Sequence, residues 1–393
     1  MEAGRAVSGG PTALNGRPPL NILVLADRDW THPQGGGTGA NVFANVALWG
    51  EWGHRVTVVA GHYPGAKRVE RTAPNVVVYR MGGRATVFPR AMWAVLRGLG
   101  READVVLEVI NGITFLTPLW LRKPRVALVN HPHRDLFVGE YGARFGRVLS
   151  ALLEELPVRW LYRRVPFSTI SSAARDELVK VDGVPPGHIT LAHCGVGPGP
   201  YAPGERSPKP RLLYLGRLKA YKRVEYLLDV LEALPGAVLD IAGHGDHREL
   251  LEAEISRRAL GPRVHMHGWV DEERKAELYR RAWVHVTASS SEGWSLTVME
   301  AALCGTPSVA LAVGGLREAI VDGETGLLAH DLDELTRAVR HLIDDPELRQ
   351  RLGDAALRRA RTFTWESTAA TNLALLHSQV AAARSRLPRL TRA

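Results

Sequence analysis

The chain has 393 residues, 45% of them hydrophobic and 23% charged, and carries a formal net charge of +9. That length is more than one hydrophobic core usually supports, so two domains are expected of this globular composition. The positive balance favours anionic partners such as a nucleotide or a phospholipid surface, and the lack of an aromatic–basic RNA motif, a zinc finger or an isolated basic arm argues against nucleic acid.

Residues 1–19 are rich in Gly, Ala and Pro, hold no apolar segment of signal-peptide length, and read as a disordered leader. The run 21–26, Asn-Ile-Leu-Val-Leu-Ala, is apolar enough for a buried parallel strand. A loop containing Gly35, Gly36 and Gly37 joins it to a helical pattern over 40–52. The order resembles a dinucleotide fingerprint, but the loop is too long and its glycines are consecutive instead of G-x-G-x-x-G. Such glycines let a backbone approach a ligand closely, and a flexible surface loop is the competing reading. Strands are expected over 55–60, 76–80, 105–110, 125–130, 167–171 and 189–192, and helices over 90–99, 143–164 and 172–181. That alternation predicts a doubly wound parallel sheet. In 143–164, Leu152, Leu153, Leu156, Trp160 and Leu161 mix with Arg144, Arg147, Arg159, Arg163 and Arg164, and Pro157 should kink or divide the helix. A basic amphipathic helix suits peripheral membrane contact; packing of one face on its own sheet is the favoured expectation.

Residues 197–210 are dense in Pro and Gly without apolar period and read as a linker between an N-terminal domain, 20–196, and a second domain, 211–365. The pattern then restarts, with strands expected over 211–215, 237–242, 264–267, 283–288, 308–312 and 326–328, and helices over 224–234, 247–260 and 272–282. The tail 366–393 is expected to carry a helix that packs back on the first domain. Cys194 and Cys304 form neither a disulfide framework nor a CxxC metal pair, which favours a reducing, cytoplasmic setting. No run nears the roughly 18 apolar residues of a membrane span.

The second domain concentrates the chemistry. Ser291-Glu292-Gly293-Trp294-Ser295-Leu296-Thr297-Val298-Met299-Glu300 joins an apolar strand to a helix ending near Gly305. Ligands of open parallel sheets sit where strand ends feed helix N-termini, whose free N–H groups favour an anion. Glu300 lies among apolar neighbours on a helix with little polar face, so its carboxylate needs partners, and ligand hydroxyls suit it. Earlier, strand 211–215 runs into Gly216-Arg217-Leu218-Lys219-Ala220-Tyr221-Lys222. There Gly216 opens the backbone, and Arg217 and Lys222 supply a planar fork and a point charge suited to a diphosphate. Gly243 closes the next strand, Trp269 follows a further one, where backbone groups suit a nucleotide base, and Gly314-Gly315-Leu316-Arg317-Glu318 makes another glycine turn.

In this order the features resemble the family-four retaining glycosyltransferases (group 1) of the GT-B fold. The resemblance rests on Gly-Arg-Leu with Lys222 beyond it, on Glu292 and Glu300 in Ser-Glu-Gly-Trp-Ser-Leu-Thr-Val-Met-Glu, and on Gly305-Thr306-Pro307 followed by Gly314 to Glu318. It implies an α/β chain of two Rossmann-like doubly wound domains facing across a cleft, using a nucleotide-sugar donor (UDP-, GDP- or ADP-linked) and no metal or cofactor. Arg217 and Lys222 would hold the leaving diphosphate, Glu292 the donor sugar, Glu300 the ribose hydroxyls, and the backbone at Leu296 and Thr297 the phosphates, with Gly293, Trp294 and Ser295 beside them. Gly35, Gly36 and Gly37 are similar to the family's loop over the reacting sugar. In Asn130-His131-Pro132-His133, His131 or His133 would take the place of the family's histidine beside the reacting carbon. The acceptor hydroxyl, on a natural product, lipid, polysaccharide or small polyol, is not specified. A non-catalytic nucleotide-binding protein and a sugar-nucleotide epimerase of the same fold are the alternatives.

Overall fold

The computed structural model describes residues 17–33, 35–197 and 199–385. Residues 1–16 of the expected leader and the arginine-rich end from 386 lie outside the described residues. Two compact units divide the chain: residues 17–170, 175–192 and 365–385 form the first, and 171–174 with 193–364 the second.

The first unit is built on eight strands: β1 Asn21–Leu25, β2 Arg55–Ala60, β3 Val69–Ala73, β4 Val76–Arg80, β5 Val105–Val109, β6 Arg125–Leu128, β7 Phe167–Thr169 and β8 Ile189–Leu191. They lie in the order β3-β4-β2-β1-β5-β6-β7-β8. Every pairing is parallel except β3 with β4. Central strands such as Val-Val-Leu-Glu-Val of β5 are buried along their whole length, as a sheet covered on both faces requires. The edge hairpin strand β3, Val-Glu-Arg-Thr-Ala, is mostly exposed and escapes the sequence pattern for that reason.

Two other departures bear on function. A helix, Arg134–Tyr141, stands where only a loop was expected. The expected helix over 143–164 is divided, as Pro157 demands, into Ala143–Ser150, a π-helical turn Ala151–Glu155, and Leu156–Leu161. Proline cannot serve the Leu153 carbonyl, and the Thr114 N–H donates to it instead at 3.3 Å.

The last helix, Trp365–Ser385, belongs to the first unit. Its Ala369, Leu373, Leu376 and Val380 join the core of Val42, Val46 and Trp49, and the Trp49 indole donates to the Ala369 carbonyl at 2.9 Å. A buried polar relay runs through the same layer. Ser168 donates to Asn372 Oδ1 (2.5 Å), Asn372 to Asn45 (2.8 Å), Asn45 to Asn41 (2.8 Å) and Asn41 to Asn130 (2.9 Å).

The second unit has six parallel strands, β9 Arg211–Leu215, β10 Val238–Ala242, β11 Val264–Gly268, β12 Val284–Thr287, β13 Ser308–Leu311 and β14 Gly326–Ala329, in the order β11-β10-β9-β12-β13-β14. The sequence leaves β9 with β10 on one side and β12 on the other, so the strand order reverses at β9. That topological switch point is where an open α/β sheet binds ligands. Within the stretch expected as an interdomain linker, 197–210, Arg206 and Ser207 are stitched onto this unit. Arg206 donates to the carbonyls of Arg280 (3.0 Å), Ala282 (2.8 Å) and Gly305 (2.6 Å), and the Trp283 indole donates to Ser207 O at 2.7 Å.

Candidate active site

At the switch point of the second unit the loops after β9 and β12 meet. The Tyr221 carbonyl accepts from the Ser290 N–H (2.8 Å) and hydroxyl (3.1 Å), which fixes the two loops to one another. Lys222, at the end of a 3-10 turn Ala220–Lys222, thereby reaches Glu292 and pairs with its Oε1. Ser289 donates to the same oxygen at 3.0 Å. Both charged side chains are mostly buried, at 13% and 14% exposure, so water screens the pair little. Arg217 lies on the same loop, where its guanidinium donates to the Tyr221 hydroxyl at 2.9 Å and the Tyr214 hydroxyl holds its carbonyl at 2.9 Å.

Glycines let these loops close up. A Cβ on Gly243 would stand 1.8 Å from the Gly216 carbonyl oxygen, and one on Gly315 would stand 2.1 Å from that of Gly293. Gly243 also has φ +138, which L side chains rarely adopt. The Gly315 N–H donates to the Glu292 carbonyl at 2.7 Å, so the Gly314-Gly315 turn supports the carboxylate loop from below.

Helix Leu296–Leu303 begins beside Glu292. Its N-cap, Ser295, is left-handed at φ +80 and makes no side-chain capping bond, so the first-turn N–H groups, including those of Leu296 and Thr297, are left for an anion. Glu300 lies further along this helix, where Tyr279 donates to it at 3.0 Å and the Lys275 ammonium stands 3.3 Å away. Burial pushes the Glu300 carboxyl above the usual carboxylate range, Lys275 opposing it.

Trp294 departs from its expected place beside a donor. Its indole is 2% exposed and sits inward, with ring centroids 4.9 Å from His193 and 5.0 Å from Phe363. It packs the loop and offers no face to a ligand. Trp269, at the end of edge strand β11, is 73% exposed.

In the first unit the loop after β6 carries the expected histidines. The rings of His131 and His133 stack with centroids 4.7 Å apart. Glu154, buried on the π turn, accepts from the His133 N–H at 2.9 Å, and its other oxygen stands 3.8 Å from His133 Nδ1. Asn130 is buried and committed to Asn41, so it is a structural member of the relay, and the two histidines are the partly buried side chains left to that loop. Gly35, Gly36 and Gly37 end the loop after β1. The Gly35 N–H turns back to His32 O at 2.7 Å, and helix Gly37–Glu51 starts with no side-chain cap. A buried ion pair of Asp29 with Arg80 pins the start of this loop; Arg80 also donates to Glu70 at 2.7 Å.

Tyr221, Ser289, Lys275, Tyr279, Glu154 and Arg80 were not legible as site residues. Tyr221 acts through a backbone carbonyl, Ser289 is one of three consecutive serines just before Glu292 with nothing to single it out, and the others are separated in the chain from what they hold. Among the described residues no group of three or more His, Cys, Asp or Glu side chains could hold a metal ion.

Two α/β units of this kind define the GT-B fold, and the solved sucrose-phosphate synthase from Thermosynechococcus elongatus superposes with a TM-score of 0.80 at 22% identity, covering 92% of this chain and 100% of that one. The description "Glycosyl transferases group 1" matches residues 202–359, and "Glycosyltransferase Family 4" matches residues 35–199. The chain belongs to the family-four, group 1 glycosyltransferases. It is similar to a glycogen synthase of Mycobacterium tuberculosis, 32% identical over 243 residues, which are 58% of this chain and 59% of that protein. A GDP-mannose-dependent alpha-(1-6)-phosphatidylinositol dimannoside mannosyltransferase of the same species is 29% identical over 392 residues, 92% of this chain and 98% of that protein. The matched stretch thus spans little more than half of the glycogen synthase's own length.

Proposed function

We propose that the chain transfers a sugar from a nucleotide-sugar donor to an acceptor hydroxyl, with retention at the anomeric carbon and without a metal ion. The observation that carries this is the Lys222–Glu292 pair, mostly buried at the switch point beside the uncapped start of helix Leu296–Leu303. Breaking a sugar–phosphate bond requires positive charge preorganised on the departing diphosphate. Lys222 and Arg217 supply two cations, and the N–H groups of Leu296 and Thr297 supply dipoles, which is charge a metal would otherwise provide. Glu292 then orients the donor sugar hydroxyls, and Glu300 accepts from the ribose. Trp269 offers an exposed ring for the base. His131 and His133 belong to the acceptor side.

The family includes relatives whose names specify glycogen synthesis and GDP-mannose-dependent mannosyl transfer, and solved structures similar in fold hold UDP or UDP-glucose. GDP-mannose and UDP-glucose, the sugar nucleotides those names print, are both nucleoside diphosphate sugars, which supports that donor class here. The test is a panel of UDP-, GDP- and ADP-sugars followed by thermal shift and by product analysis with and without EDTA. One donor should raise the melting midpoint and be consumed, with the transferred sugar in the α configuration it had on the nucleotide. Binding without consumption in the presence of every acceptor class, isomerised donor, or loss of turnover in EDTA restored by a divalent ion would each overturn part of the reading.

A further inference from the structure

The helical run from Ala143 to Leu161 is turned inside out. Gly146, Ser150, Glu154, Val158 and Tyr162 recur at every fourth position and are buried, so the inward face is small and polar through its first half. Inward demands account for this. A Cβ on Gly146 would stand 2.3 Å from the Phe137 carbonyl oxygen, because helix Arg134–Tyr141 crosses there, and Glu154 is committed to the His133 N–H. The outward face carries the apolar groups: Phe145, Val148, Leu152, Leu156 and Trp160 are 43% to 65% exposed. Tyr141 extends the stripe, its ring 6.2 Å from that of Phe145. The expectation that one face packs on its own sheet holds for Val158, Leu161 and Tyr162, which join the core of Ala127, Val129 and Phe167; it is corrected for the apolar stripe from Phe145 to Trp160, which faces outward where a sheet-packed helix would turn it in.

A contiguous exposed apolar stripe marks an interaction surface. Arg144, Arg147, Arg163 and Arg164 are exposed on the same segment, and none of them makes an ion pair among the described residues. We propose that this face docks the protein on an anionic lipid bilayer, the apolar stripe entering the headgroup boundary and the arginines meeting lipid phosphates. The combination of an apolar stripe ending in Trp160 with flanking cations is what an interfacial helix requires. Charge argues for lipid over a second copy of the chain, since an isologous pair would bring these arginines against one another. The docking does not depend on the identity of the donor or on the transfer reaction.

The test is sedimentation of the full chain with phosphatidylcholine vesicles, with and without phosphatidylglycerol. The protein should bind the anionic vesicles about tenfold more tightly than the zwitterionic ones, a preference that shrinks at about 0.5 M salt. A variant with Leu152→Ser and Trp160→Ser changes only exposed side chains, so its thermal midpoint should match the parent while anionic vesicle binding falls about tenfold. Arg144→Gln with Arg147→Gln should weaken binding to anionic vesicles and leave zwitterionic binding unchanged. Three results would overturn the proposal: no sedimentation of the parent with anionic vesicles, equal binding by the serine variant, or a concentration-dependent dimer that the serine changes dissolve while vesicles go unbound.

Discussion

Replacing Lys222 by alanine separates what this cation does for the fold from what it does for chemistry. In the protein without donor, the change leaves Glu292, 14% exposed, with Ser289 at 3.0 Å as its remaining side-chain partner among the described residues. A charge-assisted bond is lost and a mostly buried carboxylate is stranded, together about 2–3 kcal/mol. For a unit of this size that is a fall of roughly 4–12 °C in melting midpoint. In the role proposed for Lys222, loss of its charge from the leaving diphosphate costs a further ~3 kcal/mol in the transition state, or about 100-fold in kcat/KM. Adding Glu292→Ala removes the stranded carboxylate, so the double variant should recover about 1–2 kcal/mol of stability relative to simple addition of the two losses. Turnover should not recover with it, because the phosphate partner is still missing. Thermal melts without ligand and donor-consumption rates at saturating acceptor measure the two quantities on the same four proteins. Turnover that rises with stability in the double variant, or Lys222→Ala at parental activity, would show that the lysine only neutralises Glu292.

Gly315→Ala drives a Cβ to 2.1 Å from the Gly293 carbonyl oxygen, so the carboxylate loop must move; a loss of about 1–3 kcal/mol and weaker nucleotide binding by thermal shift are expected. Asn45→Leu cuts the buried relay between Asn372 and Asn41, leaving a donor and an acceptor unpaired, and denaturant unfolding should register about 2–4 kcal/mol. Asp182 is buried with no hydrogen-bond partner for either oxygen among the described residues, and burial, reinforced by Glu154 and Glu155, pushes its carboxyl up to about 8 from an ordinary 3.8. The fold therefore favours the protonated form: this contribution is fully present below about pH 4 and is lost as pH rises through about 8. Asp182→Asn should flatten that part of the stability profile, so that in melts at alkaline pH the variant outlasts the parent; a parallel profile would refute the assignment.

Alternation of apolar runs with helical patterns was enough to expect two doubly wound sheets, because strands such as Ile-Leu-Val-Leu admit no other burial. Strand β3 was illegible because an antiparallel edge strand facing water needs no apolar pattern, and helix Arg134–Tyr141 because it is only eight residues long and interrupted by Gly139. Lys222 and Glu292 stand 70 residues apart in the chain. They could be paired from sequence only through the resemblance; the physical cause is that β9 and β12 are neighbours in the sheet and their following loops open on the same end. The asparagine relay gave no signal at all. Asn41 and Asn45 sit at helical spacing with nothing else near them in the chain to pair with, and a helix over 300 residues later supplies the partner that lets them be buried.

Trp294 and the glycines show how position in a motif differs from contact with a ligand. Sequence order places Trp294 between Glu292 and the helix start, where any side chain would count as a donor contact. Backbone direction decides otherwise: Ser295 turns left-handed, the indole swings under the loop, and His193 and Phe363 enclose it. Gly243 was expected to give a ligand access, and the structure supplies a sufficient cause without one, since a Cβ there would stand 1.8 Å from the Gly216 carbonyl oxygen. A Gly243→Ala protein should therefore lose stability even when no nucleotide is present, whereas a glycine required only for ligand approach would cost nothing in the free protein. The constraint on these loops is met in the free protein, and that is what leaves Lys222, Glu292 and the open helix start already in place for the donor role proposed above.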